Sequence, residues 1–315
     1  MPRLGRVSEL EGGTRPWIDA RGAAVRAGVR LVTLEALRDV GRINQVIDRI
    51  WGDQYLHPDL LRALQHAGCS LIGAESPEGA LVGYAFAFPG TDRGVHLHSH
   101  MAAVLPEWQA RGVGYALKLA QRAEGLERGI AEIRWTYDPL LARNAWFNLV
   151  KLGGVAVRLL PDFYGDMKDL QNAGDRSDRF EVRWSLASRR VEGALGGAGP
   201  RPGPEGAAWR LRSAPPSALG GWPRPAEDGG AGPPEGTRAA LVAVPSDYQA
   251  LRAADRGLAV AWRDAARRAF AACFAAGLVA TSIDRASVYL FEPATSVAEE
   301  APEGGGPADE AEVRL

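Results

Sequence analysis

Residues 96–129 read HLHSHMAAVLPEWQARGVGYALKLAQRAEGLERG, and the order of parts inside this stretch governs how the rest of the chain is read. Val95–Val104, following Gly90 and Gly94, predicts a strand. A short loop, Leu105-Pro106-Glu107-Trp108, comes next. Gln109-Ala110-Arg111-Gly112-Val113-Gly114 then leads directly into apolar residues at helical spacing, which predict a helix over Arg111–Arg128. The first turn of a helix carries unpaired backbone N–H groups and a partial positive charge, and glycines there let a pyrophosphate come within hydrogen-bonding distance. A Gly-x-Gly beside an arginine also serves a plain turn into a helix, so the stretch alone leaves both readings open.

Working outward, Val29–Thr33 predicts a short strand, and Leu37, Val40, Ile43, Ile47 and Ile50 recur at the spacing of one amphipathic helix. Pro58 opens a second helix through Ala67. Cys69–Ala74 and Leu81–Phe88 predict two strands joined by the turn Ser76-Pro77-Glu78-Gly79, which makes a hairpin. On the other side, Ala131–Tyr137 predicts a strand and completes a strand–helix–strand unit. Asp138 and Pro139 predict the start of a helix that runs to Leu152 and is stopped by Gly153 and Gly154. Strands are expected at Val155–Leu160 and Phe180–Leu186. The whole is an α/β chain of the α+β type, with a mixed central sheet flanked by helices.

Five segments are expected. Residues 1–28, rich in Gly and Arg, form a flexible or weakly docked leader, and 29–192 form the main domain. Residues 193–238 hold 12 glycines and 9 prolines in 46 positions and predict a linker or insertion. Residues 239–292 supply a small strand–helix–strand subdomain, with a strand at Ala239–Val244, a helix at Ala259–Ala276 and strands at Val279–Ile283 and Ala286–Phe291. It is too short for a core of its own and is expected to pack on the first domain. Residues 293–315 form an acidic disordered tail.

With 315 residues and 46% apolar side chains the chain can bury a core, and a formal net charge of −1 gives no excess of positive charge for nucleic acid or an anionic bilayer. The longest apolar run, Phe270–Ala280, is short of the roughly 20 residues that span a membrane. Cys69 and Cys273 match no paired spacing and read as reduced, buried small hydrophobes. No export signal is visible in the N-terminal stretch, so a cytoplasmic location is expected. Lys118, Lys151 and Lys168 are the only lysines, a bias read as base composition.

The loop and helix together resemble the GNAT superfamily of N-acetyltransferases, whose acetyl-CoA loop reads Arg/Gln-x-x-Gly-x-Gly/Ala; here that is Gln109, Gly112 and Gly114. A second element in the expected order, Asn144-Ala145-Trp146-Phe147-Asn148-Leu149-Val150-Lys151-Leu152-Gly153, is similar to the family's Asn/Ala…Lys-Leu-Gly helix. The resemblance covers roughly residues 30–187. It implies a splayed pair of strands, Val95–Val104 and Ala131–Tyr137, that admits the pantetheine arm of acetyl-CoA. Backbone groups near Ala102 and Val104 would bind that arm. Gln109 and Arg111, Gly112, Val113, Gly114 and Tyr115 would hold the pyrophosphate, and Asn144 and Phe147 would line the far side of the cofactor.

His96, His98 and His100 alternate along the predicted strand and so share a face. They are a proton relay, a metal site or packed strand residues. A metal is not expected, because no third strand offers a partner ligand. An amine acceptor arrives protonated, and histidine titrates in the range needed to relieve it. The placement of His100, and then His98, resembles the arylalkylamine N-acetyltransferase branch. Many family members carry a tyrosine where this chain has Leu149, so the usual acid is missing; Tyr164 or Tyr137 could stand in, or the coenzyme A thiol could leave as thiolate and take a proton from water. Glu75 is a possible base or a solvated turn residue, and Arg263, Arg267 and Arg268 a solvated or ion-paired face.

The expected activity is transfer of an acetyl group from acetyl-CoA to a primary amine by direct attack, assisted by histidine and without a metal. The alternative is a non-catalytic acyl-CoA-binding or scaffolding protein of the same fold. The acceptor and the oligomeric state are not legible in the sequence.

Overall fold

The computed structural model describes residues 13–52, 56–167, 174–201, 203–204, 206–216, 221–227 and 238–298. In chain order its elements are α1 (Arg15–Ala27), β1 (Arg30–Thr33), α2 (Leu37–Trp51), α3 (Pro58–His66), β2 (Ser70–Glu75), β3 (Leu81–Gly90), β4 (His96–Val104), α4 (Val113–Glu127) and β5 (Glu132–Tyr137). Then come α5 (Ala142–Ala145), which continues as a π-helical stretch Trp146–Lys151, β6 (Val155–Leu160), β7 (Arg179–Ser185), α6 (Arg189–Leu195), β8 (Ala208–Ala214) and β9 (Arg224–Glu227). The last described elements are β10 (Ala240–Ala243), α7 (Tyr248–Ala254), α8 (Arg256–Ala275), β11 (Leu278–Ile283), β12 (Val288–Pro293) and α9 (Ala294–Ala298). Two compact units divide it, Met1–Asp138 with Leu160–Leu186, and Pro139–Leu159 with Ala187–Leu315.

In the first unit the sheet runs β1-β2-β3-β4-β5-β7. β1 through β4 are antiparallel neighbours, β4 and β5 are parallel, and β7 returns antiparallel to β5. The expected hairpin forms, closed by Gly79 at φ 83 and by its N–H donating to the Ser76 carbonyl at 2.9 Å. Parallel β4 and β5 need a crossover, and α4 is that crossover. α4 is held to the sheet end by Arg122, whose Nε donates to the Leu186 carbonyl at 2.7 Å. Gly125 permits the approach, since a Cβ there would stand 2.9 Å from Leu186 Cδ1.

Residues 1–28 do not form a free leader throughout. Arg15–Ala27 is helix α1, packed along α4, with Trp17, Ala20, Ala23, Ala24 and Ala27 buried. The helical spacing was present in the sequence, but alanine carried it, and alanine gives little contrast against a Gly- and Arg-rich background. Residues 1–12 lie outside the described residues.

The second unit has the strand order β6-β11-β12-β10-β8-β9, with α8 packed across β8 to β11. The stretch 193–238 is therefore not a plain linker. It contributes β8, paired parallel to β10, and β9, paired to β8. Leu211 is fully buried, and Trp262 of α8 donates through Nε1 to the Pro223 carbonyl at 2.9 Å. Proline at 225 sits on the terminal strand of this order, where a missing ladder donor costs least. The expected subdomain 239–292 is likewise larger, because Pro139–Leu159 and residues 187–227 belong to the same unit. Residues 217–220, 228–237 and 299–315 lie outside the described residues; in the expected tail, 294–298 form α9.

Trp17 is 2% exposed and bonds Glu127 Oε2 through Nε1 at 3.1 Å. Replacing it with alanine is expected to lower unfolding free energy by about 3–5 kcal/mol in a urea titration. An unchanged midpoint would return α1 to the status of a leader.

Candidate active site

β4 and β5 are paired at only two positions, Leu97↔Ile133 and His98↔Arg134. Beyond them β4 stays laddered to β3 as far as Val104↔Gly83, and β5 stays laddered to β7 as far as Tyr137↔Phe180. Each strand is held by its outer neighbour while the inner edges part, so a fork opens between Ser99–Val104 and Trp135–Tyr137. A bulge contributes to the parting. Phe86 pairs with Met101 and Ala87 with Ser99, which leaves His100 as the extra residue and bends β4. The inner-edge backbone N–H and C=O groups there lie outside the β4–β5 ladder.

The mouth of α4 lies at the open end of this fork. A Cβ on Gly114, in the first turn of α4, would be 3.8 Å from Val104 Cγ2 at the end of β4. Gly112 is the N-cap residue at φ 95, and no side chain caps the helix. Ala110 also takes a left-handed conformation, φ 61, a strained choice for a residue with a Cβ. Gln109, Ala110, Arg111 and Gly112 are exposed. Gln109 Nε2 donates to the Val104 carbonyl at 3.1 Å, and the Arg111 guanidinium lies 4.9 Å from the Trp108 ring centroid. Val113, Gly114 and Tyr115 form the first turn. The predicted residues Ala102, Val104, Gln109 and 111–115 thus fall on two adjoining elements of one unit, around a helix terminus suited to an anion.

His98 and His100 lie side by side, ring centroids 6.2 Å apart, and both stack against Phe88, at 5.1 and 5.9 Å. Burial depresses both imidazoles; His98 is pushed down to about 4, with His100, His96 and Lys118 adding like-charge repulsion. Both are therefore neutral at neutral pH. His96 is a packing residue: it is 5% exposed, its Nδ1 is 3.0 Å from the Gly94 carbonyl, and a Cβ on Gly90 would collide with its ring at 2.4 Å. Among the described residues no three His, Cys, Asp or Glu side chains converge as a metal site.

Tyr164 is half-exposed, and its hydroxyl is 3.1 Å from Thr136 Oγ1 on the parted segment of β5. Tyr137 is buried, edge-on to Phe180. Asn144 and Phe147 lie in the second unit, on α5 and the π-helical stretch. Three side expectations are corrected. Glu75 is no solvated turn residue: it is 3% exposed and its carboxylate accepts from Arg30 at 2.7 Å and Arg42 at 2.6 Å. Asp138 caps no helix, since α5 starts after Leu141, and its carboxylate lies 3.9 Å from Arg179. Arg263 is buried, 4.7 Å from the Tyr248 ring centroid, whereas Arg268 pairs on the surface with Glu227.

One residue escaped the sequence reading. Lys118 of α4 is buried at the closed end of the fork, where its Nζ donates to Ser99 Oγ at 2.7 Å and lies 4.0 Å from the Trp135 ring centroid. Ser99 and Trp135 are the first residues past the last pair on their respective strands. The available signal was a lysine inside the apolar run Tyr115–Ala120 of a chain that almost always uses arginine.

No family model matches the sequence, and no curated protein matches it. Solved structures similar to this chain include acetyltransferases. The ribosomal-protein-S18-alanine N-acetyltransferase from Escherichia coli is 17% identical, with 50% of this chain and 94% of that chain covered, at a TM-score of 0.41. Naa20 from Chaetomium thermophilum, solved with a bisubstrate analogue, is 17% identical, with 55% of this chain and 91% of that chain covered, at 0.41. The NatC complex bound to Gag peptide and CoA is 15% identical, with 50% of this chain and 99% of that chain covered, at 0.40.

The burial of the histidine pair has a direct consequence. In an NMR titration His98 is expected to take its proton near pH 4, well below the usual 6.5. The unfolded chain takes that proton at the usual value, so this group lowers stability as pH falls from about 6.5 towards 4. A His98 titration at 6.5 would contradict the burial.

Proposed function

We propose that the chain is an acetyl-CoA-dependent N-acetyltransferase of the GNAT type that acts on a primary amine by direct attack. The observation that carries this reading is the adjacency of two features in the first unit: a fork with unladdered edges, and an uncapped, exposed helix mouth at its open end. A pyrophosphate suits the helix mouth, and an arm bearing amides suits the strand edges, since its N–H and C=O groups can replace the missing ladder. The bound thioester would supply an activated acetyl group. Ser99–Val104 then orient the arm, and a backbone N–H of β4 meets the negative charge that develops on the carbonyl oxygen.

His98, at the last ladder pair of β4, and His100, at the bulge just beyond it, are the bases in this reading and are held unprotonated by burial. Their low proton affinity suits a transient carrier rather than a resting store, and it moves the acidic limb of the rate profile below the ordinary imidazole range. Tyr164, bonded to Thr136 on the opposite edge, is the tyrosine available to the fork.

A second reading, a non-catalytic acyl-CoA-binding protein, is favoured by Leu149, which is 1% exposed and offers no acid. Thiol release from acetyl-CoA against a panel of amines separates the two, because binding without turnover supports the second. In the first reading, replacing His98 and His100 together with glutamine lowers kcat by about 10²–10⁴-fold. A pair variant at wild-type rate removes the histidines from the mechanism. Gly112→Trp is expected to abolish acetyl-CoA binding in calorimetry while thermal unfolding shifts by only a few degrees. Retained affinity would remove the helix mouth from the site.

A further inference from the structure

Lys118 is a cation buried without a counter-ion. It is 4% exposed, and no carboxylate lies within 4 Å of it among the described residues. Its contacts are Ser99 Oγ, which in turn donates to Gln121 Oε1 at 2.9 Å, and the face of Trp135. An ammonium has three N–H donors, so Ser99 and the ring leave one over. Beside it, Gln121 is fully buried and its Nε2 has no hydrogen-bond partner among the described residues. Buried charges and buried amides are ordinarily satisfied, and two surplus donors in one place point to an electron-rich group that arrives from outside. Among the described residues the fork adjoins this place, since the β4–β5 ladder ends one residue before Ser99 and Trp135. From Val104, beside the helix mouth, to Ser99 the strand covers roughly 16 Å, so an arm anchored by its pyrophosphate at α4 and extended along β4 brings its far end towards Lys118.

We propose that Lys118 is the proton donor to the sulfur that leaves the acyl donor. The inference rests on the acetyl-transfer reading and fills the role for which Leu149 offers no group. In the step, the amine nitrogen bonds to the carbonyl carbon and the C–S bond breaks, its electron pair staying on sulfur. Lys118 Nζ passes a proton to that sulfur, the acylated nitrogen loses one to the histidine pair or to water, and Lys118 is recharged from solvent. Gln121 Nε2 is the second donor to the developing thiolate. Burial lowers the Lys118 ammonium to about 7, close to the working pH and so well placed for a donor that must be recharged each cycle. The titratable group that interacts with it electrostatically is His98 on β4, and Tyr115 and Arg122 lie about one turn to either side on its own helix. Asp19 and Arg26 reach from α1 to Tyr115.

The test uses the full chain, with CoA and acetyl-CoA as probes. A donor works only while protonated, so wild-type kcat is expected to fall as pH rises above about 7–8. Lys118→Met is expected to bind CoA within about threefold of wild type and to lose about 10²-fold in kcat at pH 7 with KM for acetyl-CoA little changed. Its remaining rate should lack the alkaline limb. A variant with wild-type kcat, or one that keeps the limb, overturns the proposal. If Lys118→Met fails to fold, the wild-type profile decides: a kcat that stays flat from pH 6 to 10 overturns it as well. Failure of the wild type to bind CoA would instead remove the acetyl-transfer reading, which keeps the two outcomes distinct.

Discussion

The parting of β4 from β5 after two ladder pairs is the constraint on which the rest of the first unit depends. A parallel pair left free would continue to zip, because each added residue satisfies backbone donors and acceptors. Three things prevent it here. β3 and β7 hold the outer edges on diverging lines, the bulge at His100 bends β4, and Lys118 sits between Ser99 and Trp135 where the next pair would form. An opened parallel pair leaves a row of backbone groups outside the β4–β5 ladder. That row is costly unless the site is wet or occupied, and it suits an extended ligand that carries amides of its own.

α4 joins the two ends of this arrangement. Its first turn, uncapped and entered through left-handed Ala110 and Gly112, points its partial positive charge out beside Val104. One and two turns further in, the same helix buries Lys118 and Gln121 against Ser99. The register of α4 on the sheet therefore sets both ends of the site. It is fixed by features far from the chemistry: α1 along its length, Arg122 on the Leu186 carbonyl, and the absent side chain of Gly125. The histidine pair lies on the Phe86 and Phe88 side of β4, where burial among aromatic rings depresses both imidazoles.

Most of this fold was legible because its elements are strongly patterned. The Ile43/Ile47 stripe, the hairpin around Gly79 and the loop from Gln109 to Gly114 carry local signals that tertiary packing does not override. What escaped has physical reasons. α1 is written in alanines, whose small apolar surface makes periodicity faint. β8 and β9 lie in a Gly- and Pro-rich stretch, where composition suggests irregular chain although a terminal strand position tolerates Pro225. The bulge at His100 depends on pairing with β3 and has no local signature. The depth of Lys118 depends on β5 closing over it, and Glu75 was misjudged because its arginine partners come from β1 and α2. The helix mouth was read from local spacing, whereas the charges that surround the fork emerged only from contacts distant in sequence.

The central claim is that a CoA ester lies along β4 with its pyrophosphate at the mouth of α4. Amide NMR of the ¹⁵N-labelled chain titrated with CoA tests it most directly. The account predicts saturable shifts concentrated in residues 111–115 and in Ser99–Val104. Saturable binding that leaves both of these segments unmoved would contradict it.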